Sequence, residues 1–525
     1  MTSGSLQKGR DHRTAALLVP FLLLLLACLI LSWCRPLSDF AAYYFGSRAL
    51  LQGNYQEAYD MTALNFRIAS LGYRDVYVSY APFPPATSLF FAPFLWLPVY
   101  WAKLLFNLCS SLFFLVALYR SARYFDMPAY LLLLLPVIFL LPVTNNIFFG
   151  QAYLLLTALL LEGYLAYRQK RPLAAALYWA PAILLKLFPA CLFLFLLLGK
   201  RYKDALYLAV VCLLLLLLSI AVNGAAVWAY YISVVMPRLN AGELNQPFAA
   251  AFQSAQLLGK QLFVYDRLLN PNPLLPYPWL LPVLTGLFKA LVLSVCIRVT
   301  LRRPANDLRA FATWICGSLL LLPNGSTYSL VILLPVLLAV AADRGRHSWV
   351  LLLLVAAVCN MPTTAFEGLP VFLRFPRLYL LLLLFAGMAL QAGKILHLRL
   401  LLLLTPIFIL QGLLPLRGEP DSSDYLLPAE QHLFLYAYGV KDGHLVYYAW
   451  EGRPLETHTN LPVRTISTDA VSLKNNQVWY QGRPLTASSD LKRKPALING
   501  NTIIYLSDKH RGIGFYTLRK ISTDY

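Results

Sequence analysis

The chain has 525 residues, of which 59% are hydrophobic and only 13% are charged, and its mean hydropathy is +0.61. A soluble domain carries about a quarter charged residues, so this composition excludes an ordinary soluble protein and indicates a helical protein with many membrane spans. The formal net charge of +20 lies mostly in short loops between apolar runs. That distribution is typical of cytoplasmic loops and argues against a nucleic-acid-binding surface.

The alternation of apolar runs and basic loops predicts the membrane topology. With residues 1–14 as a cytoplasmic tail, residues 15–418 form a transmembrane domain with two large outer loops, at 35–99 and 223–278. Each span must cover a hydrocarbon core of about 30 Å. About eleven crossings are predicted, near residues 15–34, 101–119, 129–143, 152–167, 204–222, 279–300, 308–323, 327–342, 348–360, 376–393 and 398–415.

Residues 172–198 depart from this alternation, because the basic segments on both sides, RQKR and GKRYK, favour the cytoplasm. Lys186 and Pro189 interrupt the apolar run in its middle. Two half-helices that enter from the cytoplasmic side and return to it satisfy both flanks, and irregular backbone is tolerated where protein or water surrounds it. We predict a re-entrant hairpin here, with a single crossing as the alternative.

The pattern changes near residue 419. Apolar and polar residues alternate between turn pairs such as Asp442-Gly443 and Asn475-Asn476, as in β-hairpins. The sequence EGRPL at 451–455 recurs as QGRPL at 481–485, which indicates two similar β units. Residues 419–525 are therefore predicted to form a small all-β domain outside the cytoplasm, a packed antiparallel sheet or a partial propeller.

Asp39 follows the first apolar run in the sequence LSDF, at the start of the first outer loop. One interpretation is that Ser38 or Asp39 caps a short helix lying on the membrane. The other is that a half-buried outer pocket sets the pKa and orientation of the Asp39 carboxyl group for catalysis. The sequence around Asp39 is compatible with both interpretations.

Further polar or helix-breaking residues lie near predicted outer helix ends. The proline-rich segment YAPFPPATSLFFAPF, residues 80–94, is too apolar for an ordinary loop and is expected to line a groove. Gln151 opens a helix after Gly150, either as a cap or as a donor to a polar ligand. Lys186 is costly to bury without a partner, and otherwise reaches a phosphate headgroup. FQSAQLL, residues 252–258, and the polar residues 324–329 complete this set.

In this order, the features resemble glycosyltransferase family 87, which includes bacterial mannosyltransferases that use polyprenyl-phosphomannose. The resemblance spans about residues 15–345 and depends on Asp39-Phe40 ahead of ALLQGNYQEAY, on YAPFPPATSLFFAPF, on Gly150-Gln151, and on KLFP, FQSAQLL and the Pro-Ser segment near residue 328. It implies the C-type glycosyltransferase fold, a helical membrane bundle with its active site at the outer face. The implied donor is a sugar on a polyprenyl phosphate.

The resemblance implies that Asp39 is the catalytic residue, and it makes Gln151, Lys186, Gln253 and Ser254 candidate site positions. The sequence departs from the family pattern at two places. The family often has an asparagine after Gly-Gln, where this chain has Ala152-Tyr153. It also often has a histidine where this chain has Ser326-Thr327-Tyr328, and we expect Tyr328 or a nearby arginine to replace it. The β domain lies outside the resemblance.

The implied chemistry is displacement at the anomeric carbon of the donor sugar. An acceptor hydroxyl is a weak nucleophile, so Asp39 would act as a general base, with inversion and without a second carboxylate. The leaving phosphate needs positive charge, for which the candidates are Arg48, Arg74, Lys103, Arg238 and Lys186. The candidates to stack on sugar rings are Tyr43, Tyr80 and Trp96. No metal or other cofactor is expected, because basic side chains can neutralise a single lipid phosphate.

The sequence therefore predicts transfer of a hexose or pentose, preferably a mannose-like sugar, from a polyprenyl-phosphate donor to a lipid or glycan acceptor. The reaction is placed at the outer face of the cytoplasmic (inner) membrane, with donor, acceptor and membrane lipids as partners and no nucleic acid. Two alternatives stay open. Broken helices and a lysine at membrane depth also suit a flippase or transporter of polyprenyl-linked glycans, and the β domain suits a non-catalytic envelope assembly protein.

Overall fold

The computed structural model describes residues 12–73, 76–243, 248–302, 308–342, 348–390, 398–413, 424–426, 434–450 and 454–523. The described residues up to 413 are largely helical, and those from 424 onward form β-strands. A largely apolar helical part followed by a C-terminal β region is the division that the sequence predicted.

Three described helices are long and apolar enough to cross a membrane: Val99–Tyr124, Tyr202–Asn223 and Leu280–Arg302. Ala129–Ile138 and Leu140–Phe149 make a fourth span if this pair, bent by 52°, is counted as one. The number of crossings, about eleven, stays a prediction. The shorter helices of the bundle are Val19–Ser32, Tyr153–Arg168, Pro172–Leu185, Cys191–Leu198, Leu308–Leu321, Leu334–Ala342, Ser348–Asn360, Pro376–Leu390 and Leu398–Leu413.

The helix Pro172–Leu185 ends at Lys186, whose backbone is extended, and a short 3₁₀ turn leads into Cys191–Leu198. Both arms contact Tyr167, near the end of the preceding helix Tyr153–Arg168. The ring of Tyr167 lies 5.7 Å from Trp179 in the first arm and 5.8 Å from Phe195 in the second, and Arg201 lies over the same ring. These contacts favour the predicted hairpin and place Lys186 at its tip.

The two loops that were predicted to lie outside, called the outer loops below, are folded rather than irregular. Residues 35–99 contain the helical segments Ala42–Gly46, Ser47–Leu51, Tyr55–Tyr59, Met61–Ser70, Thr87–Phe91 and Ala92–Phe94. Residues 223–278 contain Ala225–Tyr230, Tyr231–Val235, Met236–Asn240 and Ala255–Phe263. Large side chains such as Phe40, Tyr43, Tyr59 and Tyr80 are almost fully buried among them. The first predicted outer loop therefore packs into an apolar core that it shares with the adjoining helices and with residues 227–235, and this core fixes the segment that follows Asp39.

The β region consists of antiparallel strands in three sheets. The sheet orders are β1-β11-β10-β9-β5, β2-β3-β4 and β6-β7-β8. The strands are β1 Asp424–Tyr425, β2 Phe434–Lys441, β3 His444–Trp450, β4 Pro454–Pro462, β5 Ile466–Ser467, β6 Val471–Lys474, β7 Gln477–Tyr480, β8 Arg483–Pro484, β9 Lys492–Ile498, β10 Thr502–Ser507 and β11 Thr517–Ser522.

The predicted hairpin turns are present. Asp442-Gly443 and Asn475-Asn476 all have positive φ, as a two-residue hairpin turn with twisted strands requires. The first pair connects β2 to β3 and the second connects β6 to β7. In the later repeat copy, at 481–485, Gln481 and Gly482 form the turn between β7 and β8, and Arg483-Pro484 is β8. Glu451, Gly452 and Arg453 of the earlier copy lie outside the described residues.

The β region packs directly on the outer loops of the helical part. Arg238 donates to Asp508 at 2.7 Å, and Arg493 pairs with Asp60 at 2.8 Å. The backbone N–H of Met61 donates to the carbonyl oxygen of Ile513 at 3.0 Å. Arg238, Asp508 and Asp60 are buried, so these charged contacts fix the position of the β region against the helices.

Candidate active site

Asp39 lies just beyond the helix Val19–Ser32, after a residue with strained backbone. Ser38 has φ +48°, a conformation that is uncommon for a residue other than glycine. The Asp39 side chain is half-buried, and its Oδ2 accepts a hydrogen bond of 2.6 Å from Nε2 of Gln151. The carboxylate thus turns towards a distant helix end instead of capping the short helix that follows it.

Gln151 is held in place by the end of the helix Leu140–Phe149. Gly150 adopts the left-handed conformation at φ +67°, and a Cβ there would lie 2.6 Å from Cβ of Phe40. Only glycine fits both the backbone angle and this close approach. The backbone N–H of Gln151 donates to the carbonyl oxygen of Asn146 at 2.8 Å. The Gly-Gln pair is therefore a helix end that aims an amide side chain at Asp39.

Tyr43 holds the other end of the same amide. Its hydroxyl group donates to Oε1 of Gln151 at 2.9 Å, so Nε2 of the amide is directed at the carboxylate. The Tyr43 ring is stacked on Phe91 at 4.4 Å and lies 4.1 Å from Phe83. Both phenylalanines belong to the proline-rich segment 80–94, which therefore packs against the site. Tyr43, Gln151 and Asp39 form one hydrogen-bonded chain.

Lys186 brings a positive charge to this group of residues. Its ammonium group lies 4.1 Å from the ring centre of Phe83, 5.1 Å from Tyr153 and 5.8 Å from Tyr43. Cation–π contacts of this kind partly replace lost hydration. Among the described residues no carboxylate lies within 4 Å of the ammonium group and none of their side chains or carbonyl groups is hydrogen-bonded to it. Lys186 is thus a buried cation, near Asp39, with capacity for an anionic ligand.

Tyr328 closes the site from the second half of the chain. Its side chain lies close enough to the Asp39 carboxyl group to act on its pKa, and its ring is 5.4 Å from that of Tyr153. Nδ2 of Asn146 donates to the backbone carbonyl of Tyr328 at 3.2 Å. Since Asn146 also accepts from the backbone of Gln151, it ties two residues around Asp39 together.

The surroundings raise the pKa of Asp39 above its usual value. The largest cause is burial, which disfavours the charged carboxylate. The hydrogen bond from Gln151, the charge of Lys186, the Tyr328 hydroxyl and the charge of Lys103 act in the opposite direction. A carboxylate with a raised pKa is a stronger base than one in water, and these partners favour its ionised form.

Other predicted positions support the site from further away. Lys103 donates to the carbonyl oxygens of Pro36 and Phe148, both at 2.7 Å, and so joins the backbone before Asp39 to the helix end before Gln151. Tyr80 is buried against Gly46, and its hydroxyl lies 3.4 Å from Oγ of Ser47. These contacts occupy the polar atoms of Lys103 and Tyr80 within the protein.

Gln253 and Ser254 hold the segment that precedes Tyr328. The Gln253 amide donates to the carbonyl oxygens of Ala250 and Arg374 and accepts from the N–H of Arg377. Its backbone N–H donates to the carbonyl of Gly325. Ser254 caps the helix Ala255–Phe263 and donates to Pro323. The polar atoms of both side chains take part in these hydrogen bonds, so the two residues have a positioning role.

The remaining cations have different surroundings. Arg238 is buried between Glu243 and Asp508 and makes an ion pair with each. Arg48 is exposed, and Arg74 lies outside the described residues. Trp96, which was predicted to stack on a sugar ring, is also exposed. Of the five predicted phosphate partners, Lys186 and Lys103 are the two whose charges act on Asp39. No group of three or more His, Cys, Asp or Glu suited to a metal ion occurs among the described residues.

Three residues of the site were not predicted: Phe83, Asn146 and Tyr153. Phe83 lies in the proline-rich segment that was expected to line a groove, and the other two flank the Gly-Gln pair in the sequence NNIFFGQAY. The sequence indicated these residues only through their position near a predicted site residue or segment. Side chains near a catalytic group contact it only if the turn brings them to the same side, which the sequence alone does not reveal.

The apolar helical bundle is typical of a membrane protein, and a carboxylate, an amide and a lysine meet beyond a helix end in one candidate polar site. Residues 80–323 match the family model of glycosyltransferase family 87. The match confirms the family resemblance that the sequence motifs predicted, so the chain is similar to membrane glycosyltransferases of that family, and Asp39 and Tyr328 lie outside the matched residues. No curated protein and no solved structure shows significant similarity to it.

Proposed function

We propose that the protein transfers a sugar from a polyprenyl-phosphate donor to a hydroxyl group of a lipid or glycan acceptor at the outer face of the cytoplasmic membrane. A hexose or pentose is transferred, with mannose the preferred candidate on the grounds of family resemblance. The observation that carries this proposal is the meeting of Asp39, Gln151 and Lys186 in one site, where the charge of Lys186, which has no ion-pair partner among the described residues, acts on the Asp39 carboxyl group.

In the proposed reaction, the acceptor hydroxyl attacks the anomeric carbon while Asp39 accepts its proton. The bond from that carbon to the phosphate oxygen breaks, and the polyprenyl phosphate leaves with the electron pair. A single displacement inverts the configuration at the anomeric carbon. A positioned general base contributes typically about 10²–10⁴-fold to the rate, and the raised pKa of Asp39 suits it to that role.

Lys186 is proposed to bind the phosphate of the donor. A lipid phosphate gains negative charge as the sugar leaves, and an ammonium group in a site of low dielectric constant stabilises that charge more strongly than water would. The aromatic side chains Tyr43, Phe83 and Tyr153 hold Lys186 without neutralising it. Gln151 keeps the Asp39 carboxylate oriented, because its own amide is fixed by Tyr43.

The test is a transfer assay with the purified protein in lipid, labelled polyprenyl-phosphate sugars and a panel of glycolipid and glycan acceptors. Asp39→Asn removes the base and keeps the shape, and it should lower transfer by about 10²-fold or more. Asp469→Asn, an exposed change in the β region, is the matched control and should leave transfer unchanged. Near-normal transfer by Asp39→Asn would contradict the proposal. Donor movement across the bilayer without acceptor would favour a flippase.

A further inference from the structure

Four aromatic side chains form a continuous strip where the β region meets the outer loop. The strip consists of Phe66, Tyr436, Tyr448 and Trp450. Phe66 lies 5.2 Å from Trp450 and 5.9 Å from Tyr436, and Tyr436 lies 6.4 Å from Tyr448, measured between ring centres. Phe66 is 44% exposed, and the other three are partly exposed.

The strand geometry presents these rings away from the core of the β region. Along β3, Leu445, Tyr447 and Ala449 point into the buried core, and the alternate residues Tyr448 and Trp450 point to the opposite face. The pairing of β2 with β3 is shifted between Leu435 and Ala437, so Tyr436 lies at a β-bulge. Bulges redirect a side chain and are common beside functional sites. Here the bulge places the Tyr436 ring beside Tyr448.

Hydrogen-bonding groups border the strip on one side. Glu456 of β4 is the cross-strand partner of Tyr448. Its carboxylate accepts from Lys441 at 2.8 Å and lies 3.1 Å from Nε2 of His458. A row of ring faces beside exposed carboxylate, ammonium and imidazole groups matches a saccharide chain, whose C–H faces stack on aromatic rings while its hydroxyl groups exchange hydrogen bonds.

The strip is connected to the active site by a rigid element. Phe66 lies on the helix Met61–Ser70, and the opposite face of that helix, with Leu64 and Ile68, is buried in the same apolar core as Phe40 and Tyr43. Asn65 fixes the helix by hydrogen bonds to Val78. A chain bound on the strip would therefore keep a fixed relation to the segment that carries Asp39.

We propose that this aromatic strip binds the saccharide chain of the acceptor, at a distance from the sugar that is being extended. The assignment of that chain as acceptor rests on the proposed glycosyltransferase function. The chemistry of the strip matches one kind of partner, an oligosaccharide with an extended run of sugar rings. Trp450 also packs between Met61 and Phe515, so it forms the fixed end of the strip, and Tyr436 and Tyr448 are the free contact rings.

The test measures binding without a donor, with the full chain in lipid nanodiscs and manno-oligosaccharides and malto-oligosaccharides of increasing length as probes. Binding should strengthen with probe length. The double variant Tyr436→Ala/Tyr448→Ala should weaken it by about tenfold or more. Tyr436→Leu/Tyr448→Leu, which keeps apolar bulk without the rings, should weaken it similarly. Leu473→Ala, at an exposed apolar residue elsewhere in the β region, is the matched control and should bind normally.

Binding must also be independent of catalysis. Asp39→Asn should bind the oligosaccharides as the unchanged protein does, even though it loses transfer, so failure of the strip and failure of the proposed reaction give different results. If the unchanged protein binds neither series of probes, or if both double variants bind normally, the assignment is overturned. A change in oligomeric state in the double variants would instead identify the strip as a contact between copies of the chain.

Discussion

The carboxylate of Asp39 accepts a hydrogen bond from the amide of Gln151, which lies 112 positions further along the chain, at a distance of 2.6 Å. Tyr43 fixes that amide from its other side. One short contact therefore joins the first outer loop to the end of a broken helix, and it favours the ionised form of a carboxyl group whose pKa burial raises.

Replacing Gln151 by leucine should change the pH dependence of transfer. Without the hydrogen bond, the ionised form of Asp39 is less stable and its pKa rises further. The acid limb of a profile of kcat/KM against pH should then move to higher pH, and activity near neutral pH should fall by about tenfold or more. Tyr43→Phe removes only the bond that orients the amide, so it should shift the limb in the same direction by less. An unmoved acid limb in Gln151→Leu would disprove the orienting role.

Replacing Lys186 by methionine should lower the transfer activity without lowering the stability of the protein. Loss of the charge that faces the donor phosphate should lower kcat/KM for the donor by about 10²–10³-fold. The thermal stability should not fall, because a buried cation with no hydrogen-bonded partner in the described part of the chain is costly and methionine fills similar space. Lys203→Met, at an exposed position, is the control. A variant that loses stability in parallel with activity would show that Lys186 is a structural residue.

Arg238 should be important for stability, although it was expected to contact phosphate. Arg238 and Asp508 are 3% and 0% exposed, and removing one partner of such a pair costs about 3–5 kcal/mol. Arg238→Ala should therefore lower the melting temperature and increase hydrogen exchange where the β region meets the outer loops. Arg267→Ala breaks an exposed pair with Asp424 and should cost at most about 1 kcal/mol. Equal effects of both changes would contradict this difference.

Asp266 should make stability depend on pH in the acid range. Burial favours its neutral form, but hydrogen bonding and charge from His510, the N–H of Leu269 and the Tyr425 hydroxyl outweigh burial, and the pKa of Asp266 is well below its usual value. Its unfolded value is about 3.9, so its contribution to stability is complete above that pH and is lost as the pH falls towards the folded value. The difference in melting temperature between the unchanged protein and Asp266→Asn should shrink on acidification. A constant difference from neutral pH to about pH 2 would exclude this linkage.

Local sequence patterns were sufficient to locate the bundle helices and two hairpins, but not the short helices of the outer loops. Apolar runs and basic loops gave the positions of the bundle helices, because each predicted apolar run coincides with a helix or helix pair among the described residues. The number of membrane crossings stays a prediction. The turn pairs Asp442-Gly443 and Asn475-Asn476 gave two hairpins, because few residues tolerate positive φ. The break at Lys186 was visible because a lysine and a proline interrupt an apolar segment. Each of these signals depends on neighbours in the chain.

The roles of individual polar residues depended on tertiary packing. Gln253 and Arg238 carry the same kinds of groups as Gln151 and Lys186, yet they bond to backbone groups and to Glu243 and Asp508, away from Asp39. Nothing near Gln253 in the sequence shows that Arg374 will take up its amide. Whether a polar side chain is free for a ligand depends on partners that are distant in sequence, and these partners are fixed when the helices pack.

The sequence by itself determined that this protein is a helical membrane protein with a β region at its end, and its motifs indicated family 87 and Asp39. These conclusions rest on composition, periodicity and short motifs, which act locally. The tertiary structure alone decided that Asp39, Gln151, Lys186 and Tyr328 meet, and that the rings of Phe66 and Tyr436 lie side by side. Such meetings are set by the packing of whole helices and sheets, whose energy is spread over many side chains.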